Sequence, residues 1–192
     1  NKDDVIAWRG PILDRALTQL LADVHWGDLD YLLLDLPPGT GDIAMSLGQK
    51  VPTAEVLVVT TPQQAASEVA ERAGTMAALM NQKIIGVVEN MSWLAFTAPD
   101  TGKEYRIDLF GSGGGQEAAD ALSKRLGTEV PLLAQVPMDI ELRKGGDEGD
   151  PIVTAHPESP AAQAIVELAK NLDSRPRGLS GMHLGVSPTN NA

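Results

Sequence analysis

Tyr31-Leu32-Leu33-Leu34-Asp35-Leu36-Pro37-Pro38-Gly39-Thr40-Gly41-Asp42 is the stretch on which the reading of this chain turns. An apolar run short enough for one buried strand ends on Asp35. Pro37 and Pro38 stop it, because neither can donate to a ladder, and a Gly-rich loop then carries a second carboxylate, Asp42. A carboxylate that closes a buried strand is poorly solvated, so it is suited to holding a cation or an oriented water. Nucleotide hydrolases place Mg2+ and the attacking water against a γ-phosphate with parts of this kind. Two plainer readings stand beside that one. Asp35 can cap the turn that follows it, and Asp42 can be the N-cap of a helix starting near Ile43, with or without a role at a phosphate.

The phosphate cradle that such a loop needs is missing, since no G-x-x-x-x-G-K-[ST] occurs in the 192 residues. The chain also opens on Asn1 instead of a methionine. The expectation is therefore the C-terminal part of a larger ATPase. Gly39-Thr40-Gly41-Asp42-Ile43-Ala44 also fits G-x-G-x-x-[GA], but Pro37-Pro38 separate it from the strand. The next strand ends in Thr60-Thr61-Pro62, where a dinucleotide fold wants an acid.

Composition sets the bounds. With 43% hydrophobic and 4% aromatic residues, the chain can build one domain whose core is aliphatic. A formal charge of −11 and a pI near 4.6 argue against surfaces that coat nucleic acid or anionic lipid, so neither partner is expected. Zero cysteines leave no disulfide, thiolate ligand or thiol nucleophile, which fits a cytoplasmic chain. No apolar run reaches the roughly 20 residues of a membrane helix.

Pro11 opens an amphipathic helix running to about Val24, with Leu13, Ala16, Leu17, Leu20 and Leu21 at helical spacing. Further strands are expected at Tyr31–Leu36, Glu55–Thr61, Lys83–Glu89 and Val130–Val136. Helices are expected at Ile43–Lys50, Gln63–Met80, Gln116–Leu126, Asp139–Lys144 and Glu158–Leu172. Strands alternating with helices, apolar on both faces, predict an α/β fold with a doubly wound, mostly parallel sheet. Trp93–Phe96 and Glu104–Leu109 flank Pro99-Asp100-Thr101-Gly102 and predict a hairpin. Residues 1–172 form the domain, and 173–192, rich in Gly, Pro, Ser and Asn, a mobile tail. Arg175 and Arg177 in that tail read as solvated. His25, His156 and His183 read as surface residues with no carboxylate at ligand spacing. The glycines before the fourth long helix, Gly111 to Gly115, resemble an anion nest without its lysine, and read more simply as a flexible helix entrance.

Asp35 to Asp42, then Thr60-Thr61-Pro62-Gln63, then Gly86-Val87-Val88-Glu89-Asn90-Met91-Ser92, resemble the Mrp/ApbC family of P-loop ATPases, which are related to MinD and implicated in iron–sulfur cluster assembly. Trp8-Arg9-Gly10-Pro11, Phe110-Gly111, Val136-Pro137-Met138-Asp139 and Gly149-Asp150-Pro151-Ile152-Val153 follow in family order. The resemblance implies a partial P-loop NTPase domain of the SIMIBI type that binds ATP and Mg2+ as a homodimer and serves iron–sulfur client proteins. It assigns Asp35 to the metal shell and makes Pro38, Gly39, Thr40, Gly41 and Asp42 the catalytic switch segment. It assigns Asn90 to the adenine edge, with Pro137, Met138 and Asp139 as the base's other wall. Asn90 can also simply cap a turn, and Pro137 simply end a strand.

The resemblance has two gaps. Without the phosphate loop, the chain alone is expected to have negligible ATPase activity, and a bare sheet edge is expected to make it marginally stable or self-associating. Many relatives carry C-x-x-C shortly after the M-S pair, whereas Trp93-Leu94-Ala95-Phe96 follows here, so a bound iron–sulfur cluster is doubtful. Trp93, Leu94 and Phe96 are left as either a dimer contact or hairpin packing. The rival functions are a positioning ATPase of the MinD/ParA kind and a non-catalytic interaction module on the same fold.

Overall fold

The computed structural model describes residues 9–36, 41–63 and 66–175. Its elements, in chain order, are α1 (Arg9–Ala22), α2 (Gly41–Lys50), β1 (Glu55–Thr60), α3 (Ala66–Met80), β2 (Lys83–Thr97) and β3 (Glu104–Ile107). They continue with α4 (Gly114–Leu126), β4 (Leu132–Met138), α5 (Ile140–Glu148), α6 (Ile152–Ala155) and α7 (Pro160–Asp173).

β2 is the middle strand. β1 pairs with it in parallel from Glu55↔Lys83 to Thr60↔Glu89, and β4 pairs in parallel from Val87↔Leu132 onward. Alternation along β2 sends Val87 to one face and Val88 to the other. Val87 packs with Val58, Ala77 of α3, and Ala118, Ala119 and Leu122 of α4. Val88 packs with Val136, Ile152 of α6, and Ala161 and Ala162 of α7. Helices therefore cover both faces of a mostly parallel sheet, as the apolar strands require. Each fully buried valine or leucine contributes about 1.5–3 kcal/mol of transfer free energy.

Local chemistry sets most of the helix ends. Ser159 caps α7 by accepting the Ala162 N–H at 3.1 Å, with Pro160 in the first turn. Asp139 caps α5, and Gly127 and Gly149 end α4 and α5 in the left-handed conformation that glycine tolerates. The hairpin forms as expected, from Leu94↔Ile107 to Thr97↔Glu104. Its rings stack, Phe96 on Tyr105 with centroids 5.3 Å apart, and the Arg106 guanidinium lies 4.0 Å from the Trp93 ring centre. The Trp93 and Phe96 side chains thus do pack the hairpin, although Phe96, Tyr105 and Ile107 remain 40–43% exposed.

Three expectations are corrected. Residues 31–36 form no strand, and their leucines face solvent, Leu33 at 88% exposure. The apolar run is real, but a strand exists only by pairing, and among the described residues no ladder partner adjoins it. The third expected strand continues past Glu89 to Thr97, because its far half supplies one side of the hairpin. Arg175 is not solvated: its guanidinium donates to the Ile85 carbonyl at 2.8 Å. The rest of the expected tail, 176–192, lies outside the described residues.

Candidate nucleotide site at the carboxyl ends of the parallel strands

In open α/β sheets ligands bind beyond the carboxyl ends of the strands. Here those ends are Thr60 of β1, Glu89-Asn90 of β2 and Val136-Pro137-Met138 of β4. Asn90 faces Val136 in register, so the side chain proposed for the base edge and the proposed apolar wall at Pro137–Met138 stand on adjacent strand ends. Pro137 is buried and Met138 half-buried.

Between Asn90 and Leu94 the strand kinks. These residues, four apart, face Val136 and Met138, which are two apart. Met91 absorbs the excess with φ 56°, a left-handed conformation that costs an L-residue about 1–2 kcal/mol. Local hydrogen bonds hold it. Asn90 Oδ1 accepts the Met91 N–H at 2.9 Å, and Ser92 Oγ donates to the Glu89 carbonyl at 2.9 Å. Asn90 therefore does cap a turn. That contact uses one lone pair of its carbonyl, and its amide also carries two N–H donors.

Asp139 likewise has a structural duty. Its Oδ1 accepts the N–H groups of Glu141 at 2.8 Å and Leu142 at 3.3 Å. The sheet end and the start of α5 thereby become one rigid piece.

The switch candidates are placed less completely. Asp35 lies exposed in the unpaired segment. Pro38, Gly39 and Thr40 lie outside the described residues. Gly41 begins α2, of which Asp42 is the second residue, but the Asp42 side chain is also outside them. The structure thus sets Asn90 beside Pro137–Asp139 on adjacent strand ends and leaves Asp35 exposed in the unpaired segment.

Glu89 was missed by the sequence reading. It is 1% exposed, and both carboxylate oxygens are engaged. Oε2 accepts the Gly115 N–H at 2.7 Å and Oε1 accepts from Gln135 Nε2 at 2.7 Å. The signal was available: an acid ending Gly86-Val87-Val88 has no water to face and must find donors inside. This contact also settles the glycine run. The Gly114 N–H goes to the Pro62 carbonyl at 3.2 Å, so the α4 entrance is filled from within the protein. A β-carbon on Gly114 would lie 2.5 Å from that carbonyl oxygen, which is why glycine stands there.

Folding brings Glu141 and Glu158 to the exposed His156 ring, at 3.8 and 3.9 Å, contacts that sequence spacing did not suggest. Among the described residues no group of three or more His, Cys, Asp or Glu side chains could hold a metal, and no helix is long and apolar enough to cross a membrane.

The fold and these strand ends define an α/β domain of the P-loop NTPase class. The chain belongs to the ParA-type family described as NUBPL iron-transfer P-loop NTPases, whose profile matches residues 1–173. It is 55% identical over 184 residues to a Mycobacterium leprae protein named iron–sulfur cluster carrier protein, covering 96% of this chain and 47% of that one. Among solved structures it is similar to a nucleotide-binding protein from Archaeoglobus fulgidus in complex with ADP. That match has 35% identity and a TM-score of 0.56, over 72% of this chain and 53% of that one. It is also similar to the septum site-determining protein MinD from Pyrococcus horikoshii complexed with Mg-ADP. There the identity is 25% and the TM-score 0.58, over 97% and 64% of the two chains. The chain spans about half the length of the curated relatives it matches.

Proposed function

We propose that this chain is the C-terminal part of a homodimeric, cytoplasmic ATPase that binds Mg·ATP and serves iron–sulfur clusters or the proteins that receive them. The observation that carries the reading is the 55% identity to an iron–sulfur cluster carrier protein across nearly the whole chain. The neighbour bound to ADP supports an adenine nucleotide as the ligand. In this reading the Asn90 amide donates to the adenine edge and Met138 covers the ring, while Asp35 belongs to the Mg2+ shell through water. Gly39, Thr40, Gly41 and Asp42 form the segment that responds to the γ-phosphate. Hydrolysis would then rest on positioning and charge neutralisation.

The chemistry of this chain limits the proposal in two ways. It has no lysine-bearing phosphate loop, so little in it neutralises a triphosphate, and the isolated chain is proposed to be inactive. It has no cysteine, and thiolates are the usual cluster ligands. That absence favours a second reading, a non-catalytic interaction module that keeps the fold and binds client proteins.

One experiment separates the two readings. The full chain is titrated with Mg·ADP by calorimetry or NMR, and phosphate release from Mg·ATP is measured in parallel. Saturable ADP binding perturbing Asn90 and Met138, without turnover, supports the ATPase part. No perturbation at any ADP concentration favours the module.

A further inference from the structure

Glu89 is a buried carboxylate that the proposed nucleotide chemistry does not use. Four parts of the fold converge on it. The α4 entrance donates through the Gly115 N–H, and β4 donates through Gln135. The loop after β1 hangs on the same entrance through the Gly114–Pro62 bond, and the kink in β2 is tied to the Glu89 carbonyl by Ser92. A buried carboxyl finds a donor at this point because the first turn of a helix leaves backbone N–H groups without intrahelical partners. The fit is close, since a β-carbon on Gly115 would stand 2.7 Å from the Glu89 Cβ.

Side-chain alternation gives the arrangement its consequence. Glu89 follows Val88 and shares the α3–α4 face with Val87, so the next side chain, Asn90, emerges on the opposite face beside Val136. The two residues share a peptide unit at the start of a kink that contains a left-handed Met91. Such a conformation persists only where its surroundings over-determine it. Fastening Glu89 on one face therefore sets the depth and angle at which the Asn90 amide is presented on the other.

We infer that Glu89 is a positioning residue for base selection: anchored on Gly115 and Gln135, it fixes the kink from which Asn90 addresses a purine edge. This rests on the adenine-nucleotide reading above.

The test uses the full chain, isotope-labelled, titrated with Mg·ADP and with Mg·GDP and followed through the Asn90 side-chain amide, a probe that detects weak binding. The wild type is expected to bind ADP more tightly than GDP. Glu89→Ala should lower that preference about tenfold, the effect of one lost buried hydrogen bond. It should also move the Asn90 and Met91 resonances in the ligand-free protein. Glu89→Gln keeps an oxygen for the Gly115 N–H and should retain most of the preference once the Gln135 amide turns over. General destabilisation would not produce that rescue. If Glu89→Ala does not fold, Gln135→Ala replaces it, with about a threefold loss expected. A wild type that shows no response to ADP overturns the base-reading role of Asn90, and the role of Glu89 with it. An ADP preference and Asn90 resonances that survive Glu89→Ala, or Gln135→Ala in its place, overturn the role of Glu89 alone.

Discussion

Arg175 reaches ninety positions back along the chain to donate its guanidinium N–H to the carbonyl of Ile85, at 2.8 Å. The target lies where the β1–β2 register slips: Val56 faces Ile84, Leu57 faces Gly86, and Ile85 is skipped. A bulge leaves a backbone group without its ladder partner, and a side chain from just past α7 supplies the missing donor. On the neighbouring turn Tyr31 Oη donates to Asp173 Oδ1 at 2.6 Å, so the end of α7 also holds the start of the unpaired segment.

Arg175→Ala should therefore destabilise the chain by about 1–2 kcal/mol, the cost of leaving a buried carbonyl short of a charged donor. Urea unfolding measures it. A change no larger than that of an ordinary exposed residue would show that the bond does not form in solution.

Gly115→Ala should cost about 1–3 kcal/mol through overpacking, because its new methyl must displace the Glu89 side chain. Gly146→Ala, where a β-carbon meets nothing within 4 Å, is the control and should be neutral or slightly stabilising. Equal effects at the two positions would refute the close approach of α4 to β2.

Asp14 joins α1 to α2. The Ser46 hydroxyl donates to its Oδ1, and Lys50 Nζ lies 3.2 Å from the same oxygen. The Ser46 hydrogen bond first, and Lys50 second, hold the Asp14 carboxyl below its ordinary range. A carboxyl depressed in the folded state adds stability above its unfolded pKa, about 3.9, and loses it as pH falls through the lower folded value. Asp14→Asn should flatten the acid limb of a stability–pH curve, and Ser46→Ala should flatten it partly. Because the pair is exposed, salt should weaken the Lys50 share. An acid limb unchanged in Asp14→Asn would exclude this linkage.

The segment from Leu29 to Leu36 exposes Leu29, Tyr31, Leu32, Leu33, Leu34 and Leu36 at 37–88%. A contiguous apolar stripe of this kind drives association. Sedimentation of the isolated chain should show concentration-dependent assembly, and Leu33→Lys should reduce it. A wild-type chain that stays monomeric at high concentration would contradict the exposure seen here.

Much of this protein was legible in its residues because the relevant chemistry is local. Helical spacing placed the helices to within a few positions, apart from the four-residue α6, which carries too little periodicity to show, and Pro99 to Gly102 marked the hairpin. The ordered motifs from Asp35 to Val153 carried the family. The placing of Asn90 and Pro137 at one site came from that resemblance.

What no local pattern contained was the identity of partners. Leu32-Leu33-Leu34 has the composition of a buried strand, yet a strand is a relation between two segments, and among the described residues none pairs with this one. Glu89 was visible as an acid in an apolar run, but only folding named Gly115 and Gln135 as its donors. Arg175 looked like a solvated charge until the β1–β2 bulge exposed a carbonyl within its reach. Periodicity and capping depend on neighbours a few residues away, whereas ladders, buried carboxylates and bulge repairs depend on groups that only chain packing brings together.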